Sequence, residues 1–130
     1  MNDELLIAAA ADVRSHAYAP FSVYAVGAAV LDAEGRIFAG CNVENASFGA
    51  SMCAERAAIF KMVSEGGQRI AKLAVVTEDG AAPCGMCLQV VREFAGDPGK
   101  VEILCKASAG NTKRYLLREL LPVPFGNAGK

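Results

Sequence analysis

The sequence lacks any hydrophobic run of about 18 residues, so it offers no candidate for a membrane-spanning helix. It has no Trp and a single His among its 130 residues. Neither sign of charge is in excess. Thirteen Lys plus Arg stand against 14 Asp plus Glu, a formal charge of −1, which excludes a broad basic face for duplex nucleic acid and gives no pull toward anionic membranes. The alanine-rich start carries Asp3, Glu4, Asp12 and Arg14, and it lacks the basic leader, long apolar stretch and cleavage site of a signal peptide. No internal repeat, linker or low-complexity segment stands out. These absences lead to the expectation of a soluble, cytoplasmic chain forming one domain over residues 1–130, with no nucleic-acid or membrane partner. What is present fits that expectation. The chain is 53% apolar, too rich for disorder, and at this length it buries roughly two-thirds of its unfolded surface, enough for a core without disulfides.

The punctuation by Gly and Pro divides the chain into short elements. Residues 4–16 are rich in helix formers with a mostly apolar stripe. Residues 26–31 and 36–43 flank Asp32-Ala33-Glu34-Gly35, the pattern of a β-hairpin. Residues 53–65 read as a helix stopped by Gly66-Gly67, and residues 70–77 as a strand. Pro83 precedes a second strong helix over residues 84–95, closed by Gly96-Asp97-Pro98-Gly99. Residues 101–106 form another strand, and residues 114–121 a strand running into a turn of helix. Strands separated by helical segments imply crossovers, with helices covering a sheet. The fold class is therefore α/β: a three-layer α/β/α domain with a mixed, five-stranded sheet. The early hairpin is expected to be antiparallel and the remaining strands parallel.

Five cysteines are an odd count: Cys41, Cys53, Cys84, Cys87 and Cys105. In a cytosolic chain with a filled core, such cysteines point to metal or redox chemistry rather than a disulfide frame. Cys53 opens one helix in Cys53-Ala54-Glu55, and Pro83-Cys84-Gly85-Met86-Cys87 opens the next. Cys84 and Cys87, three apart, face one side of a first helical turn. Convergence of the two helix starts would bring three sulfurs to a place where backbone N–H groups and the positive ends of both helix dipoles also point, which favours thiolates. Three thiolates around one divalent ion leave an open tetrahedral position, the layout of a catalytic zinc site. Zinc with three thiolates carries a net negative charge, so a cation must offset it if bound water is to ionise near neutral pH. Arg56 is the candidate for that compensation. Glu55, two residues after Cys53, is the candidate proton shuttle.

Blander readings exist for each of these residues. A Cys-x-x-Cys by itself fits a redox pair or half of a structural zinc site. The chain, however, has no second such pair and no His pair, and the third cysteine brings its own Glu. His16, at the end of the first helix, reads as a surface or capping residue. Cys41 and Cys105 lie in strands and read as small core hydrophobes.

Cys-x-Glu followed by Pro-Cys-x-x-Cys is the three-cysteine form of the zinc deaminase signature. Pro20-Phe21-Ser22, Val26-Gly27-Ala28-Ala29, Asn42-Val43-Glu44-Asn45-Ala46-Ser47, Cys53-Ala54-Glu55-Arg56 and Glu119-Leu120-Leu121-Pro122 with Phe125 extend the match from about residue 15 to residue 126. In these words the chain resembles the small homotetrameric cytidine deaminases. The Asn-Val-Glu-Asn-Ala run is more specific than either cysteine motif. The resemblance implies one zinc per subunit on Cys53, Cys84 and Cys87, with Glu55 as general acid/base. It implies Asn42 and Glu44 on the ribose hydroxyl, Ala54 contacting the pyrimidine through its backbone, and Phe125 reaching across a subunit interface toward the base. The implied reaction is hydrolysis at C4 of cytidine or 2′-deoxycytidine. Glu55 protonates N3 and then the amino group, ammonia leaves, and the step belongs to pyrimidine salvage.

Two positions depart from the family pattern. Leu88 stands between Cys87 and Gln89 where the family has Arg, which removes one cation from the thiolates; the plain reading is that Leu88 packs against a core or subunit face. Tyr24 stands where Phe is common near the base, which keeps the stacking surface but adds a hydroxyl that needs a partner when buried. The competing functions are a deaminase of a modified or N4-substituted cytosine nucleoside or of a blasticidin-like compound, and a non-catalytic zinc-binding interaction module.

Overall fold

The structure, a computed structural model, describes residues 3–126. Helix α1 (Asp3–Arg14) is followed by β1 (Gly27–Asp32) and β2 (Ile37–Cys41), a 3-10 turn at Phe48–Ala50, and α2 (Ala54–Ser64). Then come β3 (Ile70–Thr77), α3 (Gly85–Glu93), β4 (Glu102–Ala107), β5 (Thr112–Leu116) and the short α4 (Leu117–Leu120). The elements lie where the periodicity places them, and the last segment is indeed a strand running into a helical turn.

The five strands form one mixed sheet in the order β2-β1-β3-β4-β5. The turn Asp32–Arg36 closes the first hairpin, in which Leu31 faces Ile37 and Gly27 faces Cys41. Asp32 is almost fully buried and stabilises this turn by accepting the N–H groups of Glu34 and Arg36 at 3.0 and 2.8 Å and the Arg36 guanidinium at 2.8 Å. Strand directions after the hairpin differ from the expectation. β3 and β4 are parallel, but β1 and β3, and β4 and β5, are antiparallel. β2 and β3, joined through α2, do run in the same direction, since both are opposite to β1. The sheet departs because β1 slots between those two strands. For β4 and β5, the connection over residues 108–111 is too short for a crossover, so the pair closes as a hairpin.

The pleat sorts the core into two faces. Ala29, Leu31, Ala74, Val76 and Leu104 point to one side and pack under Leu6 and Ala10 of α1. Ala28, Val30, Leu73, Val75, Ile103 and Cys105 point to the other, under Ile59 and Met62 of α2 and Leu88 and Val91 of α3. Helices thus cover both faces, giving the α/β/α layering. β1, interior to the sheet and covered on both sides, is buried along its whole length, whereas the edge strand β2 alternates. Two glycines allow the close approach of helix to strand. A Cβ on Gly27 would stand 2.0 Å from the Ala10 carbonyl oxygen, and one on Gly40 2.6 Å from the Ala58 backbone nitrogen. Gly40 therefore lets α2 lie directly on β2, which places the start of α2 beside the end of that strand, where Cys41 is followed by Asn42.

Candidate active site

Both helix starts supply sulfur. Cys53 is the N-terminal cap of α2 and Cys84 that of α3, each with extended backbone angles. Pro83, buried before Cys84, suits an entry into the helix because the chain there is already extended. Cys87 lies one turn into α3 and is fully buried. The three Sγ atoms lie within 4.8 Å of one another, with Cys84 and Cys87 3.5 Å apart. Tetrahedral thiolates at the usual zinc–sulfur distance are separated by ~3.8 Å, so the cluster fits a zinc ion with small movements. The donor set, two helix N-termini and no fourth protein ligand among the described residues leave one coordination position to a small molecule.

The cluster is electrostatically prepared. The Arg56 guanidinium donates to Cys53 Sγ at 3.4 Å. A hydrogen bond from the Cys87 thiol and the contact with Arg56 hold the Cys53 thiol down at about 5, against the opposing effect of burial. Cys87 is pushed up because it donates to Cys53 and is buried. The Cys87 thiol and Arg56 thus favour the thiolate form of Cys53, and a divalent cation would favour ionisation of the other two. Leu88, at the departure from the family pattern, packs into the core with Val91 and supplies no cation. Cys105 sits in the same core, its thiol raised to about 11 by burial and by the charge of Glu55. Cys41 is half-buried on the edge strand. His16 lies exposed in the turn after α1, away from the sulfurs.

Glu55 follows the capping Cys53 in the first turn of α2 and is only 6% exposed. Burial pushes its carboxyl up to about 7. The negative charge of Cys53 adds to the rise, while the Glu55 backbone N–H and Arg56 oppose it. A carboxyl poised there can both take and give a proton near neutral pH.

Beside the cluster opens a cavity of about 420 Å³ whose lining includes Tyr24, Asn42, Glu44, Cys53, Ala54 and Glu55, a size suited to a small ligand. Asn42 and Glu44 do more than line it. Asn42 accepts the Val26 N–H at 2.9 Å and donates to the Tyr24 carbonyl at 2.8 Å. Its amide keeps one further N–H and one lone pair for a ligand. Glu44 accepts the N–H groups of Phe21 and Ser22 at 3.0 and 3.1 Å, and also the Ser22 hydroxyl. These bonds hold its carboxyl below the usual range, so it is a carboxylate in the folded chain. The Tyr24 hydroxyl donates to Asp79 at 2.6 Å.

The structure thus gathers Cys53, Cys84, Cys87, Glu55, Ala54, Asn42, Glu44 and Tyr24 at one place, with Arg56 behind the sulfurs. It does not bring Phe125 there. That ring is 87% exposed, and its backbone is held away from the cavity by both ends of the Gln89 amide, each at 3.0 Å. Sequence reasoning missed Ser22, Thr77 and Asp79 as parts of the site's framework. Ser22 lies in Pro20-Phe21-Ser22, whereas nothing in the pattern around Thr77 and Asp79 marks them.

Comparisons with known proteins agree with this geometry. Residues 1–104 match the model of the cytidine and deoxycytidylate deaminase zinc-binding region. Over 127 residues the chain is 41% identical to a cytidine deaminase of Sporosarcina psychrophila, covering 96% of this chain and 92% of that protein. It is 43% identical over 112 residues to a cytidine deaminase of Mycobacterium tuberculosis, covering 85% and 79% respectively. The crystal structure of cytidine deaminase from Burkholderia pseudomallei superposes with a TM-score of 0.89 at 42% identity, covering 96% of this chain and all of that one.

Proposed function

Because the chain belongs to the family of the cytidine and deoxycytidylate deaminase zinc-binding region, we propose that it hydrolyses cytidine, and 2′-deoxycytidine, to the corresponding uracil nucleoside and ammonia, a step of pyrimidine salvage. The observation that carries this reading is three thiols within 4.8 Å of one another at the edge of a cavity that also holds a buried, nearly neutral-poised carboxyl. Cys53, Cys84 and Cys87 would hold one zinc ion, which supplies Lewis-acid activation of water when bound. Glu55 would take one proton from the attacking water and give it to N3 of the pyrimidine. It would then carry the second proton of that water, from the new C4 hydroxyl, to the departing amine, so that water and cytidine become uridine and ammonia. Burial suits Glu55 to this work, since a carboxyl near 7 is a competent base and a competent acid at the same pH. Arg56 offsets the negative charge of the thiolates. Asn42 and Glu44 present free hydrogen-bonding capacity to ribose hydroxyls, Ala54 offers its backbone to the base, and the Tyr24 ring offers a stacking face.

The finer expectations belong to the same reading. One domain over residues 1–130, of which residues 1–2 and 127–130 lie outside those described, is supported by the single sheet with helices on both faces. The protein works as a homotetramer in which Phe125 completes a neighbour's site. Support comes from the exposure of Phe48, Met86, Val123 and Phe125, between 64% and 87%, which is costly to leave in water. A cytoplasmic location without nucleic-acid or membrane partners accords with the balanced charge, and no helix among the described residues is long and apolar enough to cross a membrane.

The test follows the ultraviolet change of the zinc-loaded protein with cytidine and deoxycytidine, beside Glu55→Gln with its zinc content measured. The expected result is turnover by the parent and a fall in kcat of about a thousandfold in the variant, with zinc retained. A zinc-loaded parent that turns over neither nucleoside, or a Glu55→Gln variant of undiminished activity, would overturn the reading.

A further inference from the structure

One stretch of backbone beside the cavity is held in a conformation that its own sequence resists. Val23 has φ of +57°, in the left-handed region where a β-branched residue is a genuine outlier. Its side chain is 83% exposed, so packing of that side chain does not impose the angle. The neighbours do. Glu44 grips Phe21 and Ser22, the Ser22 hydroxyl accepts the Tyr24 N–H at 3.1 Å, and Asn42 holds the Tyr24 carbonyl and the Val26 N–H. Strain maintained this way is found where a side chain has to be aimed, and the side chain aimed here is Tyr24.

The far end of Tyr24 is also fixed. Its phenol donates to Asp79 Oδ1 at 2.6 Å, a short charge-assisted bond. Consistent with this, the Asp79 carboxyl lies below its usual range, chiefly through the bond from Tyr24. Asp79 is tied into its own loop: Oδ1 accepts the Ala81 N–H at 3.2 Å and the Thr77 hydroxyl at 3.3 Å. The Thr77 oxygen accepts the N–H groups of Gly80 and Ala81 at 2.7 and 3.1 Å. This loop leaves the end of β3 and delivers Ala81, Ala82 and Cys84 to the cavity that Tyr24 lines from the other side.

We propose that Asp79 is a positioning residue for the deamination. Through the Tyr24 phenol it ties the wall formed by residues 21–26 to the wall formed by residues 77–84, and so sets the width of the slot that receives the base. The proton of the Tyr24 hydroxyl is therefore committed to Asp79 and is not available to donate to the pyrimidine. The strut rests on the cytidine reading above and adds to it a determinant of substrate fit that acts from outside the reacting atoms.

The test uses the zinc-loaded full chain as wild type, Tyr24→Phe, Asp79→Ala, Asp79→Asn and the double variant Tyr24→Phe/Asp79→Ala. Uridine affinity is measured by calorimetry, and steady-state kinetics with cytidine and N4-methylcytidine. Tyr24→Phe keeps the ring and serves as the mildest cut of the strut. It and Asp79→Ala should each weaken uridine binding by about three- to tenfold, as expected for one lost hydrogen bond. The KM for cytidine should rise in parallel while kcat stays within about twofold. The double variant should be no worse than the stronger single one, because both cut the same strut. Asp79→Asn, whose carboxamide oxygen still accepts from the phenol, should recover most of the affinity lost in Asp79→Ala. The preference for cytidine over N4-methylcytidine should narrow in both strut-cut variants. Multiplying effects in the double variant, a fall in kcat at unchanged KM, or a Tyr24→Phe protein matching wild type would each overturn the strut while wild-type turnover stands. A wild type that neither binds uridine nor deaminates cytidine overturns the cytidine reading and the strut with it.

Discussion

The two faces of the sheet are built by the same means and do different things. On one, Leu6 and Ala10 of α1 lie on Ala29, Leu31, Ala74, Val76 and Leu104. The layer is thin, built largely from small residues, and its charges sit at the margin, where Asp3 binds Lys72 and Arg114, each at 2.6 Å. On the other, α2 and α3 cover a bulkier core that includes Leu73, Ile103, Ile59 and Met62. Both faces admit a helix over a glycine, Gly27 for α1 and Gly40 for α2. The difference lies at the helix starts. α1 begins at a salt-bridge cluster centred on Asp3, whereas α2 and α3 begin together at a cavity and carry sulfurs in place of the usual oxygen caps. Chemistry is thus concentrated where two helix N-termini converge, and the opposite layer contributes stability alone.

The largest effect that would test this contrast is at the sulfurs. Cys84→Ser, or treatment of the parent with a strong chelator, should remove zinc and abolish turnover. The melting temperature should fall by roughly 5 °C or more, because a ligand that bridges α2 and α3 in the folded state alone contributes its binding energy to folding. Metal analysis alongside thermal unfolding checks it, and full activity without bound metal would break the contrast. Next come the two glycines. Gly27→Ala and Gly40→Ala each force a methyl into helix backbone and should cost about 3 kcal/mol by denaturant titration. Only Gly40→Ala should also raise the KM for cytidine, since it alone displaces the helix that carries Glu55. Equal kinetic damage from both would mean that the two faces are not separable.

The smallest effect is electrostatic. The bonds from Lys72 and Arg114 lower the pKa of Asp3, so the folded state favours its carboxylate. The stabilisation is present above the unfolded carboxyl value of about 4 and is lost as pH falls through the lower folded value. Asp3→Asn should therefore lower the melting temperature by about 2–4 °C at pH 7, by less at pH 3, and leave turnover unchanged. Melting curves at both pH values check the sign; a larger loss at the lower pH would reverse it.

Much of this was legible from residue order alone, and for a local reason. Helix periodicity, glycine and proline punctuation and the hydrophobic alternation of strands are properties of neighbours in the chain, so the element order and the layered α/β class followed directly. So did the cysteines and Glu55, since the three-residue spacing of Cys84 and Cys87 and the two-residue spacing from Cys53 to Glu55 set which side chains share a helical turn. The pairing of β1 with β3 did not follow, because periodicity describes a strand's faces and says nothing of which strand lies at its edge. Nor did the strut from Tyr24 to Asp79, which joins residues 55 positions apart, or the grip of Glu44 on Ser22.

Residue order sets which groups are available for the chemistry: three thiols, a carboxyl and a guanidinium, all within the first turns of two helices. Tertiary structure alone decided that the two starts meet, that Glu55 is buried enough to titrate near neutrality, and that Phe125 faces outward in the single chain. The physical reason is that convergence and desolvation come from packing elements distant in sequence, with Gly40 beneath α2 and β1 inserted between β2 and β3. No local pattern encodes those contacts.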